Sequence, residues 1–242
     1  VSRGRNLGAR RSTGRILAFT DDDCVPDPNW LAAIVSEFET SKVSAVFGRC
    51  LPFEPVRRGE RPVALKLDME PERFAGRVNP WRPGHGNNMA FRRQDFEAVG
   101  GFDEALGPGR LLPSSEDADL TYRILNAGYR AVYSPEPVIY HRQFRHGEDL
   151  WRVERDYGIG AGAMYLKHLR CGDPFVLGLI LQRWIQTGAA HLVYGVLTAR
   201  PAHVRLGWYR IAYSIAGMWM ARKTAVDRST RLYRDHLCED AT

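Results

Sequence analysis

Short apolar runs alternate with amphipathic stretches through the first 140 residues. Residues 16–20 and 43–47 are continuous apolar runs that predict buried strands, and residues 29–39 between them carry apolar side chains at helical spacing. This strand–helix–strand order favours parallel strands buried on both faces. Further strands are predicted at 88–91, 130–133 and 138–140. We therefore expect an α/β fold with a mostly parallel sheet flanked by helices.

The pattern changes twice along the chain. Residues 49–86 contain six prolines, which predicts a loop-rich insertion of the kind that often shapes a binding site. Beyond about residue 147 the pattern becomes helical. Residues 1–146 are thus expected to form the α/β domain and residues 147–242 a helical, basic appendage.

Three consecutive carboxylates, Asp21-Asp22-Asp23, directly follow the apolar run 16–20. Ligands of open α/β sheets gather at the carboxyl ends of strands, and three like charges there repel one another unless a cation neutralises them. Mg²⁺ or Mn²⁺, which prefers oxygen ligands, suits such a cluster. The alternative is an acidic loop before the next helix. That role is already served by Asp27 and Pro28, a good pair for a helix start, so a metal site is favoured.

Other polar clusters follow at the ends of predicted elements. The run Gly86-Asn87-Asn88 could line a cleft for a polyol or be an ordinary turn. Glu116 and Asp117 open a predicted helix, where the helix dipole favours acids and where a carboxylate could also act as a general base. His141 ends the strand 138–140, and on its own is more simply structural than a metal ligand.

Composition and charge add a second feature. The chain has 242 residues, 44% of them hydrophobic, which is enough for one substantial core, and its four cysteines lack the spacing of a disulfide framework or zinc site. Residues 1–141 carry no net charge, so the whole excess of +6 lies in 142–242, almost all of it arginine. Arginine suits phosphate on a nucleotide or a lipid headgroup, although a GC-rich genome also enriches it.

The basic region also mixes aromatic residues with its arginines. Such mixtures suit a membrane interface, and arginines interrupt the apolar runs of residues 174–222, which predicts peripheral association rather than spanning. A helical appendage packed on the α/β domain or on a second subunit is the alternative. No nucleic-acid partner is expected.

Taken in order, these motifs resemble the inverting family-2 glycosyltransferases, which have a GT-A fold. The resemblance covers about residues 3–167. It rests on Arg3, Asn6, Gly8 and Ala9, the DxD motif Asp21-Asp22-Asp23, the run Asn88 to Arg93, Gly100 to Asp103, the Glu116-Asp117 pair and His141. Each motif is weak alone, but their order is specific.

The resemblance implies a role for each of these residues. It implies that Asp23 binds Mg²⁺ or Mn²⁺ directly, that His141 completes the metal shell, and that Asp21 ligates the metal or is shared with the nucleotide. Asp117 is implied as the base that deprotonates an acceptor hydroxyl, with Glu116 orienting it or the substrate. The implied donor and acceptor residues are Arg3, Asn6, Asp21, Asp22, Gly86, Asn87, Asn88 and Gly101.

The same resemblance implies a nucleotide-sugar donor and a saccharide or lipid-linked acceptor, in cell-envelope polysaccharide or glycolipid synthesis. It further implies a bacterial enzyme in the cytoplasm at the inner face of the cell membrane, with oligomers possible. Family members usually open with a strand–helix–strand segment that holds the base and ribose. Nothing before Val1 supplies it, so we expect the C-terminal part of a longer enzyme. A nucleotidyltransferase and a catalytically incomplete membrane-bound scaffold are the alternative functions.

Overall fold

The computed structural model describes residues 1–55, 61–142, 144–145 and 147–234, which form two compact units. The α/β unit comprises Arg3–Phe102 and Asp117–Gly147. The helical unit comprises Val1–Ser2, Asp103–Glu116 and the described part of Glu148–Thr242. The domain division expected at residue 146 stays a prediction.

The α/β unit contains most of the strands. Its helices are α1 (Ser2–Arg11), α2 (Trp30–Ser41), α3 (Arg93–Ala98) and α4 (Glu116–Asn126). Its strands are β1 (Ile16–Thr20), β2 (Cys24–Pro26), β3 (Ala45–Pro52), β4 (Arg61–Pro62), β5 (Glu72–Ala75), β6 (Asn88–Arg92), β7 (Arg130–His141) and β8 (Phe144–Arg145). Helices α1 and α4 begin one residue outside the unit's bounds.

The main sheet has the strand order β1-β6-β3-β7-β2, and β5 also pairs with β7. The α/β class with a sheet flanked by helices is confirmed. The sheet is nevertheless mixed, where a mostly parallel one was predicted: β3 and β7 are parallel, whereas the other described pairs in this sheet are antiparallel. Two of the antiparallel pairs arise because β6, which follows the long insertion, enters between β1 and β3 in the opposite direction, and the other two arise because β2 and β5 each run against β7. An apolar run carries no information about strand direction.

Apolar side chains cover both faces of the sheet. On one face Phe47, Phe91 and Ile124 belong to a core cluster that also holds α1 and α4, and on the other Ile34 and Val132 belong to a cluster that holds α2. Because helices cover both faces, the ends of the strands remain the open parts of this unit. The three consecutive carboxylates lie at one such end, directly after β1.

The helical unit is built on a long helix and a helical hairpin. Its elements are α5 (Gly147–Arg170), α6 (Phe175–Leu181), a π-helical segment (Gln182–Ala189), α7 (Ala190–Leu197), α8 (Pro201–Ala221), β9 (Val226–Asp227) and β10 (Leu232–Tyr233). Lys167 and Asp103 form an ion pair of 2.5 Å with both side chains fully buried, and the Tyr233 backbone N–H donates to the same carboxylate. None of the helices in the described ranges is both long and apolar enough to traverse a bilayer.

Glycines allow α5 and α8 to approach closely. A Cβ added at Gly217 would overlap the carbonyl oxygen of Ile159, and one at Gly162 would overlap that of Ser214. The three glycines at 158, 160 and 162 lie within a continuous helix, buried against neighbouring backbone or side chains. Close packing, rather than flexibility, therefore requires small residues here.

We expect Gly217→Ala to destabilise the protein by about 1–3 kcal/mol, because the added methyl must displace backbone. The matched control is Gly178→Ala in α6, where nothing lies within 4 Å of an added Cβ and helix propensity favours alanine by up to about 1 kcal/mol. Urea unfolding of the two variants measures both effects. Equal stability of the two variants would contradict the close approach of α5 and α8.

Three cysteines, Cys24, Cys50 and Cys171, are free thiols in the structure. Cys238 lies outside the described residues.

Candidate active site

A tight turn separates the three consecutive carboxylates. The Cys24 backbone N–H donates to the Asp21 carbonyl (3.1 Å), which closes a turn between β1 and β2. Asp22 is exposed at the turn, whereas Asp21 and Asp23 are partly buried. The turn therefore exposes Asp22 to solvent and places Asp21 and Asp23 against other parts of the chain.

Asp23 faces His141 across a pair of strands. The register of β2 and β7 pairs Cys24 with His141, and the Arg142 N–H donates to the Asp23 carbonyl (2.9 Å). His141 Nε2 lies 3.4 Å from Asp23 Oδ1. Its Nδ1 lies 3.1 Å from the Val63 carbonyl oxygen, which can only accept a hydrogen bond. Nδ1 therefore carries a proton and donates to this carbonyl, while Nε2 lies on the side of Asp23.

These groups fit a hard divalent cation. A ligand atom from each of Asp23, Cys24 and His141 lies within 4.8 Å of the others. Carboxylate oxygen and imidazole nitrogen are acceptable ligands for Mg²⁺ or Mn²⁺. Burial raises the pKa of the Cys24 thiol to about 12, and the Asp23 charge adds to the shift. Cys24 is therefore a neutral thiol near pH 7, which makes it a poor metal ligand in this state and leaves Asp23 and His141 as the candidate pair.

Asp21 faces a different partner. Its Oδ1 lies 2.5 Å from Arg5 Nη2, and the same guanidinium nitrogen donates to the Gly86 carbonyl (3.2 Å). The Arg5 guanidinium also lies over the Phe102 ring, 5.4 Å from its centre. Asp21 is not part of the described Asp23–Cys24–His141 group, so its role as a metal ligand stays a prediction. Sequence reasoning missed Arg5, whose only signal was its position beside Asn6.

Asp117 is held in place by two backbone N–H groups. Gly86 N donates to its Oδ2 (2.7 Å) and Ala118 N to its Oδ1 (2.7 Å). A Cβ at Gly86 would come within 3.2 Å of Asp117 Oδ2 and 3.3 Å of Arg5 Nη1. Gly86 thus lies between the Arg5 guanidinium and the Asp117 carboxylate and contacts both. A continuous line of polar contacts runs from Asp21 through Arg5 and Gly86 to Asp117.

His85 is a second residue to which the sequence assigned no role. Burial lowers the pKa of its imidazole, and the nearby Asp117 carboxylate partly opposes this effect. Its ring bonds to the backbone of Leu65. The imidazole is therefore neutral near pH 7 and lies in the electrostatic field of the Asp117 carboxylate.

Two of the predicted binding asparagines brace the backbone. Asn6 exchanges hydrogen bonds with both the N–H and the carbonyl of Phe102 (2.9 Å each), which fixes the turn at Gly101, where φ is +67°. Asn88 accepts from Trp30 Nε1 (2.9 Å), and its amide nitrogen donates to the carbonyls of Arg49 and Pro137 (2.9 Å each). In these two residues the amide groups position strands and loops.

The remaining predicted residues fall in different settings. The Asn87 amide nitrogen bonds to Cys50 Sγ and the Ala64 carbonyl, while its buried Oδ1 has no hydrogen-bond partner among the described residues. Arg3 is exposed on α1. Glu116 is buried in the helical unit, where a Cβ at Gly107 would come within 3.2 Å of its carboxyl carbon. The structure thus gathers Asp21, Gly86 and Asp117 along one line of contacts and pairs Asp23 with His141.

Comparison with known proteins identifies the family of this part of the chain. The model of the family "Glycosyl transferase family 2" matches residues 1–100, the stretch that contains the acidic turn, Arg5 and Gly86. The chain carries a family-2 glycosyltransferase domain. The resemblance inferred from the ordered motifs is therefore confirmed.

Curated relatives extend the similarity beyond residue 100. The chain is 27% identical over 167 residues to a glucosyl-dolichyl phosphate glucuronosyltransferase of Haloferax volcanii, an alignment that covers 66% of this chain and 53% of that protein. It is 30% identical over 211 residues to a pre-mycofactocin glycosyltransferase of Mycobacterium tuberculosis, covering 81% of this chain and 43% of that protein. The chain spans about half the length of these relatives.

A solved structure gives the fold. The mannosyltransferase PcManGT of Pyrobaculum calidifontis, in complex with GDP-Man and Mn²⁺, superposes with a TM-score of 0.55 at 19% identity, over 90% of this chain and 66% of that one. At 19% identity this similarity supports only the fold. The family-2 domain has a GT-A fold, as the motifs predicted.

Proposed function

We propose that the protein containing this chain is a metal-dependent inverting glycosyltransferase. It moves a sugar from a nucleotide-sugar donor to a hydroxyl group of an acceptor. The observation that carries the proposal is the pairing of Asp23 with His141, in which a strand-end carboxylate lies 3.4 Å from the Nε2 of a buried imidazole. Such a pair suits a divalent cation, and the family-2 domain gives that cation a nucleotide diphosphate to bind.

Asp23 and His141 would hold Mg²⁺ or Mn²⁺. When bound, such an ion supplies a Lewis acid that neutralises negative charge on the departing diphosphate. The Arg5 guanidinium fixes the Asp21 carboxylate in position and donates to the Gly86 carbonyl at the same time. Asp21 is thereby oriented to share in binding the nucleotide or the metal.

Asp117 is the proposed general base. Two backbone N–H donors fix the orientation of its carboxylate, one on each oxygen, as a base positioned for proton transfer requires. The acceptor hydroxyl loses its proton to Asp117 as its oxygen attacks the anomeric carbon. The new C–O bond forms on the face opposite the breaking bond to the diphosphate, so the configuration inverts. The role of Glu116 in orienting the base or a substrate hydroxyl stays a prediction of the resemblance, because its buried carboxyl lies beside Gly107.

The named relatives support an acceptor from glycan synthesis. One relative is a glucosyl-dolichyl phosphate glucuronosyltransferase, and a protein named for succinoglycan biosynthesis in Rhizobium meliloti is 29% identical over 150 residues. We infer a saccharide or lipid-linked acceptor for this chain as well. The reaction then takes place in the cytoplasm at the inner face of the cell membrane, as part of cell-envelope polysaccharide or glycolipid synthesis.

Product analysis tests the proposal. The protein expressed from its complete gene is incubated with Mn²⁺, a panel of UDP-, GDP- and dTDP-sugars, and a membrane extract as the source of acceptor. We expect release of a free nucleoside diphosphate together with a glycosylated product. Release of pyrophosphate would indicate a nucleotidyltransferase instead, and absence of metal-dependent nucleotide binding would indicate a catalytically incomplete scaffold.

A further inference from the structure

The outward side of α8 is apolar. Trp208, Ile215 and Trp219 are 61%, 48% and 65% exposed, and their spacing of seven and four residues places them on one stripe of the helix. The exposed stripe of a helix on a water-soluble surface normally carries polar or charged residues. Large apolar side chains on this stripe therefore need a different environment.

The inward side of α8 explains why these side chains point outward. The buried positions of the helix include Gly207, Ser214 and Gly217. A Cβ at Gly207 would come within 2.5 Å of the Gly188 carbonyl oxygen, and one at Gly195 within 2.6 Å of Val204 N. The helices of this hairpin thus pack backbone against backbone through small residues, a mode common between helices in membranes. Leu206 is the large side chain among the buried positions of α8, whereas Trp208, Ile215 and Trp219 lie outside them.

The other arm of the hairpin also exposes apolar side chains. The helical stretch from α6 through the π-helical segment exposes Leu181 and Ile185, one helical turn apart, and Leu197 is 80% exposed at the end of α7. We call the stripe of Trp208, Ile215 and Trp219 on α8 the outer face of the hairpin. A single exposed apolar residue is ordinary, but three large ones on one stripe are characteristic of an interaction surface.

The charge of the hairpin indicates what this surface meets. Residues 174–226 contain six basic residues and no acidic residue. The Arg222 guanidinium lies 3.5 Å from the centre of the exposed Trp219 ring, and the Arg200 guanidinium lies over Tyr194. Arginine beside an exposed aromatic ring suits the headgroup layer, where the ring reaches the acyl boundary and the guanidinium meets phosphate.

We propose that the outer face of the hairpin rests in the headgroup–acyl boundary of an anionic phospholipid bilayer. Apolar burial and attraction between the hairpin's cations and anionic lipid act together, as in other helices that lie in the plane of an interface. The exclusively basic charge of residues 174–226 favours an anionic lipid surface over a neutral protein surface. This surface lies wholly in the helical unit, and its binding does not depend on the proposed catalysis.

Vesicle binding by the full chain tests the proposal. The probes are vesicles of phosphatidylcholine, either alone or with about 40% phosphatidylglycerol. Their brominated acyl chains quench tryptophans that reach them. We expect co-sedimentation with anionic vesicles that weakens at high salt, together with tryptophan quenching. Trp208→Ser with Trp219→Ser should weaken binding at least about tenfold and remove most of the quenching. Leu31→Ser, at an exposed apolar position of α2, is the matched control and should bind as the parent does.

The other results have definite meanings. No co-sedimentation at either salt concentration, or binding and quenching unchanged in the double tryptophan variant, would overturn the proposal. Sedimentation velocity tests a second copy of the chain as the partner. If the parent chain dimerises, the tryptophan variant stays monomeric and neither binds vesicles, the outer face is a dimer interface and the proposal is overturned. Circular dichroism of each variant confirms that the fold is retained, and these exposed substitutions remove no buried contact.

Discussion

Asp23→Ala is expected to abolish metal-dependent turnover. The substitution removes the carboxylate that lies 3.4 Å from His141 Nε2, so a bound cation would lose an anionic ligand. We expect kcat to fall on the order of 10²–10³-fold or more, the scale seen when one group that stabilises transition-state charge is removed. Steady-state release of nucleoside diphosphate by the protein expressed from its complete gene measures this effect.

Metal binding gives an independent readout of the same variant. Titration of the chain with Mn²⁺, followed by the paramagnetic resonance signal of the free ion in the presence of a nucleoside diphosphate, should show weaker binding to Asp23→Ala. Asp149→Ala removes an exposed carboxylate of α5 and is the matched control, with binding and turnover expected to equal those of the parent. Full activity of the parent after chelator treatment would refute the metal assignment.

Strands and helices were predicted correctly where the apolar pattern of the sequence was continuous. The run 16–20 coincides with β1, and the predicted helix 29–39 corresponds to α2. Residues 130–133 and 138–140 were predicted as two separate strands, yet β7 runs continuously through Pro135 and Pro137 between them. The prolines fall where β7 changes its neighbour from β5 to β2, so the missing N–H groups lie where the ladder is already broken.

The sequence predicted the residue types of the candidate site but not which side chains contact one another. A sequence shows three adjacent acids, but it does not show that a turn sends Asp21 to Arg5 and Asp23 to His141. These partners lie 16 and 118 residues away from them, and strand pairing alone brings the second pair together. Likewise the Gly-Asn-Asn run predicted a cleft lining, whereas in the structure Asn88 satisfies its amide by bracing the backbone.

The line of contacts through Gly86 also explains why catalysis should depend on Asp117 in a particular way. Both carboxylate oxygens accept a backbone N–H, so the side chain cannot rotate without losing one of them. Such a group is oriented before substrate binds, which is a requirement for efficient proton transfer. Its loss should therefore act on the chemical step more than on binding of the donor.

Asp117→Asn is expected to lower kcat on the order of 10²–10⁴-fold, the usual contribution of a positioned general base, while the Kd for the nucleotide-sugar donor stays within about threefold. The variant keeps the shape of the side chain but loses the basic oxygen, and its amide nitrogen must face one of the two N–H donors. Thermal unfolding measures that structural cost separately. Glu116→Gln tests the neighbouring acid, and Asp149→Asn is the isosteric control at an exposed site. Turnover equal to the parent's in Asp117→Asn, with a large loss in Glu116→Gln, would transfer the role of base to Glu116.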